Sequence, residues 1–485
     1  MQSFYFNESR MIMEKSTLIE FANNISKYKY ETQTLEIKSA AFDCPKRLYN
    51  TLSSFSNQDG GGTIFFGIDE KNDFNIVGVY DIHDLQRRVA EQCEQMYPVC
   101  RPFFTVADIG GKMIVSAEIP PVDYAERPCY YKGVGMNKGS YIRVGEGDRL
   151  MTNYEVYRYE AYRKQTRDDI RIIGQTAPRQ LNSDKLDDFL KLVKKEKSNL
   201  SAINDEQVLD IIGVTRDGRA TLTGWILFAD YPQSMFPQFC VTAVVLPGTS
   251  MGETNLTGDR FIDNKRFDGD FLNVFEETEK FIIRNMRNRT IINDEGKRAD
   301  QYEYPIKAIR EILLNALMHR DYSAFSENMP VAVEMYRDRI EITNPGGLYG
   351  RINVNDLGKT KTETRNATLV NVLEIMRIVE NRHSGIPIIR GEMSNSNLPA
   401  PVFEDIRGVF KVTLRNHFND LFEFCQKPRS RLEIAKFLGV TPVYASATKI
   451  APLINSGKMA MTIPSKPKSK LQKYYTVADW ENDDE

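Results

Sequence analysis

Glu311, Asn315 and His319 stand four residues apart in a segment, Pro305 to Asp321, whose other positions are mostly apolar. On an α-helix each four-residue step rotates the side chain by about 40°, so a carboxylate, an amide and an imidazole share one stripe of a helix that is otherwise suited to burial. Buried polar groups must be satisfied, and two arrangements do so: a bound ligand, or an internal network in which Asn315 caps a neighbouring loop. A second set of polar residues lies near the N-terminus. Leu35 and Ile37 alternate with Glu36 and Lys38, which places an acid and a base on one strand face, a pattern that usually marks a solvated edge. Asp69 ends an apolar run that reads as a central strand, Thr63 to Asp69.

The elements that must position these groups follow from the local sequence. Cys44 to Phe55 reads as a helix with Pro45 in its first turn, and Asn57-Gln58-Asp59-Gly60-Gly61-Gly62 stops it. The glycines fit either a close approach to a phosphate or a plain helix-to-strand turn. Arg163 to Asp169 is polar and charge-rich, as in a linker. Leu181 to Lys197 has helical spacing, while Thr221–Phe228 and Phe239–Leu246 read as buried strands. After the Glu311 helix come strands at Val331–Tyr336 and Arg339–Thr343, then a break at Asn344-Pro345-Gly346-Gly347-Leu348. Ser430 to Glu433 forms a capping box for a helix that Gly439 ends. Thr441-Pro442 starts another helix to about Asn455, and Gly457 to Ile463 reads as a strand.

The chain has 485 residues, enough for three or four domains. Hydrophobic residues at 41% and charged residues at 27% are ordinary for globular proteins, and a formal net charge of −2 excludes a uniformly basic nucleic-acid binder, so any such site is local. Six scattered cysteines with no C-x-x-C pair predict reduced thiols and a cytoplasmic setting. No apolar run reaches the roughly 20 residues of a membrane span, and the N-terminus lacks the pattern of a signal peptide, so no membrane partner is expected.

The blocks ETQTLEIKSA, SFSNQDGGGTIFFGID and YIRVGEGDRLMT resemble the Schlafen-type AlbA-like domain over about the first third of the chain. In nucleases of that family two glutamates spaced as Glu31 and Glu36, with an acid matching Asp69, hold a divalent metal for RNA cleavage. The resemblance implies that role here, with Lys38 neutralising a phosphate oxygen. Other members of the family bind nucleic acid without shown cleavage. The blocks LTGWILFADYPQSMFPQ and RFDGDFLNVFEETEKFI resemble a connecting region of multidomain relatives, for which core packing is the expected role.

A helix with E-x-x-x-N, two strands, N-P-G-G, a basic loop and S-G-I, with HRDY after the helix and GVFKVTL at the close, resembles the GHKL class of ATP-binding domain in its divergent regulator form. The match implies that Asn315 holds the magnesium of ATP and that Glu311 orients or deprotonates the attacking water. It further implies that Asn344, Gly346 and Gly347 line the adenine pocket, that Lys359, Lys361 and Arg365 contact phosphates, and that Gly385 permits close backbone approach. His319 and Asp321 shape the site. Two positions depart from the class. Asn344 stands where an aspartate usually reads the adenine amine, and His383-Ser384-Gly385 stands where G-x-G is usual, which puts turnover in doubt.

The last segment, helix, glycine turn, helix and basic ribbon, resembles a winged helix-turn-helix. Lys458, Lys466, Lys468, Lys470 and Lys473, with Tyr474 and Tyr475, suit phosphate-backbone contacts, and Tyr444, Ser446, Thr448 and Lys449 are the groove-facing set on the second helix. A protein-protein module has the same architecture.

The expected fold is therefore α+β and multidomain: an AlbA-like domain at 1–163, a mixed α/β connecting region at 164–300, a GHKL-like α/β sandwich at 301–416, a winged helix at 417–478 and an acidic tail at 479–485. The expected function is an ATP-binding, DNA-binding transcriptional regulator switched by nucleotide and magnesium, with DNA favoured over RNA and a homo-oligomer allowed. The alternative is a metal-dependent, Schlafen-like nuclease regulated by ATP, acting in defence, with Glu31, Glu36, Lys38 and Asp69 at its centre. A third possibility is a binding scaffold that has lost both chemistries.

Overall fold

The computed structural model describes residues 13–174, 181–254, 258–292, 298–360, 363–379, 384–406, 408–416, 420–438, 440–467 and 469–477. The chain divides into two compact units, residues 1–167 with 349–351, and residues 168–348 with 352–485. Lys361, His383, Gly439, Lys468 and the acidic tail lie outside the described residues. No single helix among the described residues is long and apolar enough to cross a membrane, and all six cysteines are buried without disulfides.

The first unit is built on a four-stranded sheet. Leu35–Lys38 runs parallel to Gly62–Phe66, which pairs antiparallel with Lys112–Ile119, and Phe103–Ile109 completes the order. The helix expected from Cys44 starts later, at Tyr49, and runs to Asn57. Cys44 and Leu48 are pulled into the core instead, where the Leu48 N–H donates to the buried Gln92 side chain at 2.9 Å, so Pro45 lies in the preceding loop. The expected stop at Asn57 holds, and the glycines after it have a packing reason. A Cβ on Gly61, at φ +62°, would lie 2.3 Å from the Ile119 carbonyl, and one on Gly62 would enter the Phe55 ring at 2.4 Å. The long strand ending at Asp69 is broken at Gly67, φ +100°, into Gly62–Phe66 and Ile68–Asp69.

The second unit holds a six-stranded sheet in the order 263–267, 241–245, 331–335, 339–345, 409–415, 402–406. The pairing of Val241–Val245 with Val331–Met335 is parallel and the other pairings are antiparallel. Alternate residues such as Val241, Ala243, Val331, Val333, Ile340 and Ile342 share one apolar core with Ile309, Ile312 and Leu313 of the helix Ile306–Met318, so a helical layer covers one sheet face. That sheet and core run straight across the boundary expected at residue 300. Two of the strands, 241–245 and 263–267, come from the segment read as a separate connecting region, and the apolar face of Val241–Val245 is buried in the shared core.

Two further expectations change. Thr221–Phe228 is a helix, Leu222–Phe228, and not a strand. Every residue of it is buried, so no periodicity distinguishes the two forms, and Thr221 Oγ1 caps it by accepting from the Gly224 N–H at 3.1 Å. In the charged stretch read as a linker, Asp169 is buried, and its carboxylate accepts the Thr368 N–H at 2.7 Å. The expected helix at 181–197 appears as Ser183–Glu196.

The last described segment has its own apolar cluster, including Phe422, Ile434, Ile450, Leu453 and Tyr474. The Ser430–Glu433 capping box is formed. Thr441 caps the next helical segment, which widens to π form over Ala445–Ile450 before Ala451–Asn455, consistent with Pro452 offering no N–H to the preceding turn. Arg429–Ser430, Lys473–Thr476 and Met459–Met461 form a small sheet in that order.

Candidate functional sites

In the first unit, the edge strand Leu35–Lys38 brings Glu36 and Lys38 onto one face, as its alternation requires, but Glu36 is buried at 8% exposure. The group that buries it is Arg143, on the strand Tyr141–Val144. Arg143 Nη2 lies 2.8 Å from Glu36 Oε2 and donates to the Leu35 carbonyl at 3.1 Å, while Nη1 reaches Asp148 at 3.1 Å. Asp148 in turn accepts from Thr51 at 2.8 Å and Ser54 at 2.6 Å. Glu36 is also paired with Lys38. Glu31 accepts the Ile37 N–H at 2.8 Å and lies 3.8 Å from Arg143, and burial, with Glu36 beside it, holds its carboxyl above the usual carboxylate range.

Asp69 does not join this network as a ligand. It caps the turn Glu70–Asn72, accepting the Lys71 N–H at 3.2 Å. Among the described residues no three His, Cys, Asp or Glu side chains converge as a metal-ligand set. The expected grouping of Glu31, Glu36 and Asp69 is therefore replaced by an ion network centred on one buried arginine. Arg143 fell inside a block that carried the resemblance, yet nothing in its local sequence marks it as the partner of a strand about a hundred residues earlier.

In the second unit, the helix Ile306–Met318 buries Ile309, Ile312, Leu313, Ala316 and Leu317 and leaves Glu311 and Asn315 half-buried on one stripe. Asn315 Nδ2 donates to Glu311 Oε1 at 3.1 Å, and burial pushes the Glu311 carboxyl up despite that bond. Gly385, the first residue of the helix Gly385–Asn395, sits against the pair. A Cβ there would lie 2.1 Å from Glu311 Oε1 and 3.2 Å from Asn315 Nδ2. Three of the expected residues are thus brought together.

Asn344 ends the strand Arg339–Pro345, on which this helix packs. It is 5% exposed and its Oδ1 has no hydrogen-bond partner. Gly346, at φ +97°, leaves no room for a side chain, since a Cβ would lie 2.4 Å from both Arg365 Nη1 and the Asp321 Cβ. Arg365 is itself buried. It donates to the Gly347 carbonyl at 3.2 Å and lies 3.6 Å from Asp321, so it braces the Gly346–Gly347 turn from inside. Burial, helped by Arg365, pushes His319 down to about 4, so its imidazole is neutral at physiological pH. Its Nδ1 lies 3.4 Å from Thr364 Oγ1.

Two residues fix the end of this helix, Asn366, which the sequence did not single out, and Arg320 of the HRDY motif. Asn366, fully buried, donates to the carbonyls of Met318 at 2.9 Å and Arg320 at 2.8 Å. Arg320, also buried, donates to the Ser326 carbonyl at 3.3 Å and stacks over Phe239 at 4.4 Å. Asn366 has no local signal, because its partners lie nearly fifty residues earlier in the chain.

In the last segment Tyr444, Lys466, Lys470 and Lys473 are exposed and Lys449 is half-buried. Tyr474 is in the core and not on the ribbon surface.

Comparison with known proteins divides along the same two units. Residues 31–152 match the family model described as Schlafen, AlbA_2. That segment is similar to the Schlafen AlbA_2 domain. Residues 328–414 match HATPase_c_4, described as "Putative ATP-dependent DNA helicase recG C-terminal". Glu31, Glu36, Asp69, Arg143 and Asp148 all fall in the segment that matches the AlbA_2 model. Asn344, Gly346, Arg365 and Gly385 fall in the HATPase_c_4 segment, whereas the helix bearing Glu311 and Asn315 precedes it. Among solved structures, the DIP2311 protein of Corynebacterium diphtheriae is 16% identical over 91% of this chain and 92% of its own, with a TM-score of 0.40. The N-terminal domain of a RecG-related protein of Nitrosomonas europaea, titled a putative ATP-dependent DNA helicase, is 26% identical over 29% of this chain and 95% of its own, with a TM-score of 0.24. No curated protein matches the chain.

Proposed function

We propose that this protein is a nucleotide-switched, DNA-binding regulator: the second unit binds ATP with magnesium, the AlbA_2 domain contacts nucleic acid, and the C-terminal segment acts as a winged helix on DNA. The observation that carries the nucleotide reading is Asn344, whose side-chain oxygen is buried and unpartnered at the end of a strand, beside the Gly346–Gly347 turn. A buried acceptor without a donor costs about 1–3 kcal/mol, and an exocyclic amine such as that of adenine supplies the missing N–H. The HATPase_c_4 match over the same residues supports the assignment.

The donor set fits the rest of the group. Asn315 spends its amide N–H on Glu311, which leaves its carbonyl oxygen as the single protein ligand that magnesium takes alongside water and phosphate. Magnesium would supply charge neutralisation for the phosphates when bound. Glu311, with a raised carboxyl, accepts and holds the proton of a water at its free oxygen, and Gly385 keeps the space beside it open to backbone only. One glycine in place of two limits how tightly the backbone wraps the phosphates, so slow turnover is the expected regime. Lys466, Lys470 and Lys473 supply phosphate-backbone contacts.

Titration of ATP with magnesium by calorimetry tests the reading in wild type, Asn315→Ala and Asn344→Ala. A loss of about tenfold or more in each variant is expected, since one strong polar contact is worth roughly 1.4 kcal/mol or more. Equal affinities in all three proteins refute it. The regulatory part requires that ATP change the affinity for a DNA duplex measured by fluorescence anisotropy, and an unchanged affinity removes it.

A further inference from the structure

Three of the six cysteines meet in the core of the first unit. Cys93 lies near the end of the helix Ile82–Glu94, Cys100 in the segment 98–102, which is neither helix nor strand, and Cys129 just before the short strand Tyr130–Tyr131. The Cys100 and Cys129 sulfurs are 3.7 Å apart, in van der Waals contact, and the Cys93 thiol is hydrogen-bonded to Cys100 as well. Ser56 Oγ lies 3.2 Å from Cys100 Sγ on another side.

The two sulfurs in contact are held differently. Cys129 is fixed by the helix Tyr49–Asn57: its N–H donates to Asn57 Oδ1 at 2.6 Å, and its carbonyl accepts from Ser53 Oγ at 2.7 Å and Asn57 Nδ2 at 2.9 Å. Cys100 sits on irregular backbone beside Val99, which is 45% exposed, so its loop borders solvent. A disulfide holds its sulfurs about 2 Å apart, so the loop has to close by less than about 2 Å to form one. Cys100 is also the most exposed of the six cysteines, at 4%. Hydrogen bonds from Cys129 and Cys93 hold its thiol below the ordinary range against the cost of burial, whereas burial raises the thiols of Cys44, Cys240 and Cys425. The thiolate is the form that attacks an oxidant.

We propose that Cys100 and Cys129 are a modification site at which hydrogen peroxide installs a reversible disulfide that staples the first unit. The Cys100 sulfur attacks one peroxide oxygen: an S–O bond forms, the O–O bond breaks, and the departing hydroxide leaves as water with the proton that Cys100 released. The Cys129 sulfur then attacks the sulfur of that sulfenic acid: the S–S bond forms, the S–O bond breaks, and a second water carries away the Cys129 proton. Two thiols are oxidised and one peroxide is reduced to two waters. Cys129 follows Cys100 by 29 positions, and the strands Phe103–Ile109 and Lys112–Ile119, half of the four-stranded sheet, lie between them. The closed loop restrains the unfolded chain and so favours the folded one. The site stands whether or not ATP or nucleic acid binds.

Hydrogen peroxide added to the reduced full chain in native buffer, followed by intact mass measurement, alkylation and non-reducing peptide mapping, tests it. The expected result is a mass lower by two hydrogens, a Cys100 peptide joined to a Cys129 peptide, and return of both thiols with dithiothreitol. The oxidised chain should unfold at a higher urea midpoint than the reduced one. In Cys129→Ala the link is lost, and dimedone should trap the sulfenic acid on Cys100. The proposal fails if no such link forms in the folded protein, if Cys100 is joined to a different cysteine, or if the urea midpoint does not rise. Should Cys129→Ala fail to fold, the wild-type peptide map decides alone.

Discussion

Asn315 Nδ2 donates to Glu311 Oε1 at 3.1 Å across one helical turn, and the backbone of Gly385 closes against both side chains. The pair is thereby held on a half-buried stripe of the helix surface, and the titration of Glu311 is coupled to the fold.

Glu311 titrates above the ordinary carboxylate range, because burial penalises its charged form. Its protonated form is favoured by folding, so its contribution is fully present below the unfolded-state value near 4.5 and is lost as pH rises through the raised folded value. Glu311→Gln should therefore be more stable than wild type at pH 7 to 8, with the difference shrinking toward pH 4. Thermal melts over that pH series check it. A wild type more stable than the variant at pH 8 contradicts the assignment.

His319 gives the opposite sign. Its folded value of about 4 is below the ordinary 6.5, so its contribution is present above 6.5 and is lost as pH falls toward 4. Wild type should lose more stability across that window than His319→Gln. A ring-proton NMR titration that placed the His319 midpoint near 6.5 would show that the imidazole is not buried as described.

Two glycines beside the site should respond differently to alanine. At Gly385 the new Cβ meets the end of the Glu311 side chain, which can swing aside, so Gly385→Ala should keep its unfolding free energy to within about 1 kcal/mol while disturbing the Glu311–Asn315 pair and weakening binding of ATP with magnesium. At Gly346 the Cβ meets the Asp321 backbone and Arg365, at φ +97°, so Gly346→Ala should cost roughly 2 kcal/mol or more. Denaturant unfolding of the two variants side by side distinguishes these costs, and similar losses would count against the stated geometry.

Arg143 holds Glu36 and Asp148 in the first unit. Arg143→Met removes the cation that Glu36 and Asp148 share, leaving Glu36 with Lys38 and Asp148 with the Thr51 and Ser54 hydroxyls, and should cost about 3 kcal/mol, whereas Glu36→Gln, which keeps an acceptor for Arg143, should cost clearly less. Limited proteolysis of the first unit reads the difference. Equal resistance in both variants would show that the network does not hold the strand Leu35–Lys38.

Some of this protein was written in local pattern. The polar stripe at Glu311 and Asn315 followed from helical periodicity, the Ser430–Glu433 cap from its spacing, the stop at Asn57 from glycine, and the strands around Ala332 and Ile342 from alternation with turn residues. Each depends on residues within a few positions of one another, where backbone geometry alone fixes what shares a face. What lay beyond the sequence were the contacts between distant segments. Arg143 meeting Glu36, Asn366 closing the end of the Glu311 helix, Arg365 turned inward onto Asp321, and Val241–Val245 entering the same sheet as Val331–Met335 all depend on which surfaces the core brings together. Burial then decides whether a carboxylate is a solvated edge group, as Glu36 seemed from its strand, or the partner of an arginine removed from water, as tertiary packing made it.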